Sequence, residues 1–163
     1  MLKTLAPGAI AHPGSLAEAA PVAARAGFDA LWLDLPLESR PDVSASREIL
    51  AHHRIRAAGF TLPVEYRKSA EEFEAWLAVL ERYAPYAEAL GMDRCITWIF
   101  PFSDTMEYGE NFSFHRRRLA QAAGILCAHG IRLGLEFIGP PSMRAGKRHE
   151  FIHTLDQAME LCN

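Results

Sequence analysis

Residues 148–154 read Arg-His-Glu-Phe-Ile-His-Thr, and His149 to His153 match the H-E-x-x-H pattern letter for letter. On a helix that spacing puts two imidazoles on one face, where they hold zinc while the Glu works on a metal-bound water. The next residues oppose a helix there. Thr154-Leu155-Asp156-Gln157 has the form of a capping box and leads into the helix-forming run Ala158-Met159-Glu160-Leu161. A helix beginning at Thr154 leaves both histidines outside it. In extended backbone, positions four apart lie roughly 13 Å from each other, so His149 and His153 cannot share one ion. The motif is expected to form no zinc site.

Acidic residues near the ends of apolar runs are stronger candidates for chemistry. In Ile131-Arg132-Leu133-Gly134-Leu135-Glu136-Phe137 the alternation puts four apolar side chains on one face and Glu136 on the other. The same split sets Asp34 with Trp32 against Leu31, Leu33 and Leu35, and sets Glu65 apart in Leu62-Pro63-Val64-Glu65-Tyr66. Acids at strand ends also occur simply because they meet solvent or cap the next helix. Glu136 follows a fully apolar strand, where burying a carboxylate without a cation or donors is costly, so it is expected to be functional and well buried. Trp98 is either a core aromatic or one wall of a sugar-sized pocket. His12 closes the first apolar run and either reaches the same mouth or is structural.

These residues need elements to hold them. The β-rich runs are Ala9 to His12, Ala30 to Leu35, Thr61 to Tyr66, Arg94 to Ile99 and Ile131 to Phe137. Capping boxes at Ser15 and Ser69 open two of the intervening helices. The first closes at Gly27, and Pro21 should kink it or delay its start. A second helix is expected over Ser44 to Ala58 with Gly59 as its stop. The third carries Phe73, Trp76, Leu77, Leu80, Ala84, Ala87 and Leu90 on one stripe, and a fourth runs from near His115 to His129. Strand and helix alternating every 20 to 35 residues or roughly so means a parallel sheet with right-handed crossovers. The first strand-to-helix turn, Ala11-His12-Pro13-Gly14-Ser15, lacks the glycine pattern of a dinucleotide-binding fold. The expected fold class is therefore α/β, the parallel (β/α) repeats of a TIM barrel, with five strands present of an incomplete (β/α)8 barrel. Active sites of such barrels sit at the C-terminal strand ends, where Asp34, Glu65 and Glu136 fall.

Bulk properties narrow the field. The chain has 163 residues, half of them apolar, and a formal charge of -3. One domain over residues 1–163 fits that length. The negative balance speaks against nucleic acid as a partner, and Arg116-Arg117-Arg118 reads as a solvated helix face. Cys95, Cys127 and Cys162 are odd in number and widely spaced, and read as buried or idle thiols in a reducing compartment, with no disulfide framework and no zinc spacing. No segment has the length or apolarity of a membrane span. A cytoplasmic location is the expectation.

Leu133-Gly134-Leu135-Glu136-Phe137-Ile138-Gly139-Pro140, with Arg144-Ala145-Gly146-Lys147 and Glu150-Phe151-Ile152 downstream, resembles the fifth-strand region of the xylose-isomerase-like sugar phosphate isomerases and epimerases. Leu62 to Arg67 is similar to their third strand, and the order of elements agrees over all 163 residues. The resemblance implies that Glu136 is a ligand to a divalent metal (Mn, Mg, Zn or Co) and, with Glu65, a catalytic carboxylate. It implies a sugar or sugar phosphate as the small-molecule partner, with Trp98, His12, Asp34, Arg144 and Lys147 as substrate-binding candidates. The metal would polarise the oxygens of an open-chain sugar while carboxylates move a proton between carbons. The family's other ligands come from later strands, so the chain reads as the N-terminal portion of a barrel, inactive on its own. Open edges then imply a homo-oligomer or association through those edges. Two other readings are a non-catalytic sugar-binding or interaction module and an endonuclease IV-like nuclease. The nuclease needs a histidine cluster at strand ends, for which only His12 is placed.

Overall fold

A computed structural model describes residues 2–10, 14–34 and 40–163. Its central feature is a parallel sheet of five strands: β1 (Thr4–Leu5), β2 (Ala30–Trp32), β3 (Arg56–Thr61), β4 (Arg94–Ile99) and β6 (Arg132–Phe137), paired in that order. Helices α1 (Leu16–Arg25), α2 (Val43–His53), α3 (Ala70–Ala89) and α4 (Tyr108–Ala128) make the crossovers, and α5 (Leu155–Cys162) follows β6. A two-residue antiparallel ribbon, β5 (Phe102–Ser103) with β7 (His149–Glu150), joins the loops that leave β4 and β6. The fold class read from the sequence holds, as five parallel strands backed by helices.

Parity decides the two faces. On β4, Cys95, Thr97 and Ile99 are buried, whereas Ile96 is 39% exposed and Trp98 half-buried. The buried set points to the helices, where Phe60 of β3 meets Tyr83 of α3 at 4.8 Å between ring centroids. The other set lines an open face. Pairing Ile96 with Gly134 and Trp98 with Glu136 puts Glu136 on that open face.

Several boundaries differ from the sequence reading. The first strand lies at Thr4–Leu5; of the run expected to form it, Ala9 and Ile10 lie in a 3-10 turn over Pro7–Ile10, where Ala9 donates its amide to the Ala6 carbonyl, and Ala11 and His12 lie outside the described residues. The third strand covers Arg56–Thr61, so Glu65 lies beyond it. The cause is an early end to α2: Arg54 adopts a left-handed conformation (φ 56°) without being glycine, and Ile55 already donates back to Leu50. Gly59, read as a helix stop, instead sits inside β3. A Cβ there would lie 2.6 Å from the Arg94 carbonyl and 2.7 Å from the Trp32 ring. Helix α4 starts a full two turns before His115. Trp76, assigned to the buried stripe of α3, is 40% exposed, and Tyr83 and Tyr86 are buried instead.

Other expectations hold. The Ser15–Glu18 and Ser69–Glu72 boxes form, although α1 starts at Leu16 and runs through Pro21, so the proline does not delay its start. Thr154 is the N-cap of α5, accepting from the Gln157 amide while Gln157 accepts from the Thr154 amide and hydroxyl. His149 sits in β7 and His153 precedes the cap, its Nδ1 bonded to the Phe151 carbonyl at 2.7 Å. Neither histidine is helical, so the H-E-x-x-H spacing lacks the backbone its chemistry needs.

Candidate active site at the C-terminal rim of the sheet

Glu136 is the last polar residue of β6 and the register partner of Trp98. Its carboxylate is exposed, where the sequence reading expected the better buried of the two glutamates. The reason is the open sheet: β6 is an edge strand among the described residues, and only β4 flanks it. Among the described residues Glu136 has no ion-pair or hydrogen-bond partner.

Glu65 reaches the same rim by another route. Leu62 extends β3 by donating to the Ile96 carbonyl at 2.8 Å. Alternation then continues past the ladder, with Leu62, Val64 and Tyr66 buried and Glu65 half-buried. Arg67 grips the Glu65 carboxylate with Nε at 2.7 Å and Nη2 at 3.0 Å, a two-point contact. The hydrogen bond from Arg67, larger than the opposing effect of burial, holds the Glu65 carboxyl below its ordinary range. The guanidinium also lies 4.4 Å from the Trp98 ring centroid and 4.9 Å from that of Phe100. Trp98 in turn meets Phe100 edge to face at 4.5 Å. Glu65, Arg67, Trp98 and Glu136 therefore form one continuous wall. The sequence reading left Arg67 without a role, although a cation two residues after a strand-end acid was the available signal.

The wall is braced from behind. The Tyr66 hydroxyl donates to the Trp98 carbonyl at 2.9 Å, and burial pushes its pKa up to about 12. Arg118 donates to the Tyr66 and Lys68 carbonyls at 2.7 and 2.6 Å. It is only 8% exposed, lying between the rings of Phe73 and Phe114. This corrects the reading of the arginine run as solvated: Arg116 and Arg117 are exposed, and Arg118 fastens the loop after β3. His115 packs against Tyr66 and Phe151, and desolvation lowers its pKa to about 4.

The other sequence candidates are distributed unevenly. Asp34, at the end of β2, is fixed by the Thr61 amide and hydroxyl at 2.6 and 3.1 Å. Arg144 donates to the Gly139 carbonyl at 2.8 Å and approaches Glu150 at 3.7 Å. Lys147 pairs with Asp104 at 3.2 Å and lies 4.1 Å from the Phe102 ring centroid. Both cations thus have partners around the β5–β7 ribbon. His12 lies outside the described residues.

No protein-family model matches the sequence, and neither does any curated protein. Solved structures do. Over 99% of its length the chain is similar to a xylose isomerase domain protein from Alicyclobacillus acidocaldarius subsp. acidocaldarius, at 26% identity and a TM-score of 0.85. A D-psicose 3-epimerase from Clostridium cellulolyticum H10, solved with D-tagatose, matches over 99% of the chain at 13% identity and a TM-score of 0.74. A family 2 AP endonuclease from Brucella melitensis matches over 99% at 18% identity and a TM-score of 0.66. The zinc-bound IolI protein shares the fold as well. The chain spans 58%, 59% and 64% of the first three structures, in that order. Parallel strands with their polar ends gathered at one rim, matched over this length, make the chain a TIM-barrel protein. Within that class its fold is similar to that of xylose-isomerase-like proteins.

Proposed function

We propose that the chain supplies the first five strands of a sugar isomerase or epimerase that moves a proton through an enediolate. The observation that carries this reading is the wall at the rim: Glu136 beside Trp98, with Glu65 held by Arg67 across the same aromatic face. In the reaction a carboxylate removes the proton from the carbon next to the sugar carbonyl, and the electron pair shifts to the carbonyl oxygen. In isomerisation the proton goes to the former carbonyl carbon while the neighbouring hydroxyl passes its own proton to the former carbonyl oxygen and becomes the new carbonyl; in epimerisation Glu136 keeps the proton it took and water supplies one to the opposite face of the same carbon. Glu136 is the carboxylate free to take that proton. Glu65, with both oxygens engaged by Arg67, stays ionised and serves to hold a substrate hydroxyl and to fix Arg67 against Trp98. Trp98 offers its ring to the sugar's C–H face.

The family resemblance implies a divalent cation. No group of three or more His, Cys, Asp or Glu side chains able to hold one is found among the described residues. Glu136 alone does not fit that role against hydrated metal. The test is proton exchange: the 163-residue protein is incubated with D-tagatose in deuterated water, without and with Mn, Mg, Zn or Co, and carbon-bound deuterium is read by NMR. Incorporation that Glu136→Gln abolishes supports the proposal. Saturable binding with no exchange under any condition assigns a sugar-binding module instead. The likeness to the AP endonuclease supports a nuclease as the second reading, and strand cleavage at an abasic site in duplex DNA would establish it.

A further inference from the structure

The outer surface of the helix layer, opposite the open face of the sheet, carries a groove that none of the chemistry above uses. It runs between α3 and α4, has a volume of about 490 Å³ and is floored by Leu77, Ala78, Ala120 and Gly124. Its two banks bear opposite charge. Glu74 and Glu81 stand on the α3 bank. On the α4 bank, helical spacing puts Arg117 on one face with Gln121 and Gly124. Both glutamates and Arg117 are exposed. Glu74 acts on the buried Arg118, whereas neither Glu81 nor Arg117 has an ion-pair partner among the described residues. Gly124 adds a separate observation. It stands in the interior of a 21-residue helix, where glycine is less favourable than alanine. Its φ is not left-handed, and a Cβ there would meet nothing within 4 Å. Its own chain gives no reason for a glycine at this place; a second backbone approaching from outside would.

The charges are arranged so that the face complements itself. Both helices run opposite to the parallel strands they connect, so they lie side by side in one direction. Arg118 against the Phe73 ring at 4.7 Å sets their relative height, and Gln121 then stands level with Leu77 and Ala78. A two-fold axis over that point reverses the second copy and lays its α4 on the first copy's α3. At the helical rise, Arg117 lies about 6 Å to one side of Gln121 and Glu81 about 4.5 Å to the other side of Ala78. Reversal brings Arg117 of the partner subunit to the height of Glu81, and the same contact repeats on the far side, as isologous interfaces require. The small side chains between them let the two layers approach. Helices of this length extend about 30 Å and pack about 8 to 10 Å apart. The pair therefore offers about 600 Å² per copy, about 1,200 Å² in all, which reaches the size of a specific interface.

We infer that the α3–α4 face binds a second copy of this chain about a two-fold axis, with Glu81 of each copy against Arg117 of the partner subunit. The surface is separate from the open strand edges and independent of the chemistry at Glu136. Sedimentation of the 163-residue protein tests it by exchanging charges. Wild type should dimerise, and Glu81→Arg or Arg117→Glu should each weaken dimerisation about tenfold, because both symmetric contacts become like-charged. An equimolar mixture of the two variants should restore it, since every contact between unlike copies again sets Arg against Glu. Gly124→Leu should prevent it, although its side chain has room in the single chain. A monomeric wild type would overturn the inference. So would association that is equal in wild type and all three variants, which is the result expected of contact through the strand edges, or a mixture no tighter than its components.

Discussion

Glu65 and His115 are two residues whose ionisation the fold controls. Glu65 titrates below its ordinary range because Arg67 bonds its charged form. Its folded pKa is the lower one, so the stabilisation is present above the unfolded value of about 4.5 and is lost as pH falls through the folded pKa. Replacing Arg67 with Ala should return the Glu65 carboxyl toward 4.5, as read by carbon NMR of the glutamate side chains; an unchanged titration would show that the pair does not govern it. His115 is also lowered, from 6.5 to about 4, because burial against Tyr66, Phe114 and Phe151, with Arg67 and Arg118 nearby, outweighs its bond to the Asn111 carbonyl. Between those values the unfolded chain holds a proton that the folded chain does not. Stability should therefore fall as pH drops from 6.5 to about 4, by on the order of 3 kcal/mol. His115→Phe should flatten that part of a pH series of urea midpoints, and an unaltered slope would assign it to other groups.

Elements show how local and distant information divide. The capping boxes at Ser15, Ser69 and Thr154 were legible because each depends on residues three apart, and α5 starts where its cap requires. Parity was legible on β6 because it depends on alternate neighbours along one strand, whereas the face taken by Trp98 on β4 was left open. The end of α2 was not legible, because Arg54 takes a left-handed conformation that sequence rules reserve for glycine or asparagine. Gly59 looked like punctuation, yet its role is to admit the Trp32 ring, a partner nearly thirty residues away in sequence. Arg118 sat in a run of charges that hid a buried clamp, and the two-residue strands β5 and β7 were too short to carry a pattern. Gly59→Ala should consequently cost about 2 to 3 kcal/mol in denaturant unfolding, the range of an overpacked core. Arg118→Ala should cost about 3 kcal/mol by stranding the Tyr66 and Lys68 carbonyls. Arg118→Lys should not restore it, since one ammonium lacks the planar face packed between Phe73 and Phe114. Full stability in either alanine variant would refute the assignment concerned.

For the whole molecule, the open sheet is the dominant fact. Among the described residues strands β1 and β6 each have one neighbour, and Ile96, Trp98 and Glu136 face outward beside them. Unpaired edges next to apolar surface favour association, so sedimentation of the 163-residue chain should show dimers or larger species, with those amides of β1 and β6 that face the open edges gaining protection from exchange on assembly. A monomer with both edges protected would speak against this. The order of the sheet also bears on how the molecule comes into being. Each strand of the five pairs with the one preceding it in the chain, so every new strand can dock on a surface already made. A ribosome delivering this protein could thus lay down the sheet unit by unit, without waiting for distant sequence. The β5–β7 ribbon breaks that rule, since Phe102 must wait for Glu150. The aromatic rim would then be the last part to set, and nascent chains halted after β6 should already resist proteases across α1 to α3 while the loop after β4 remains cleavable.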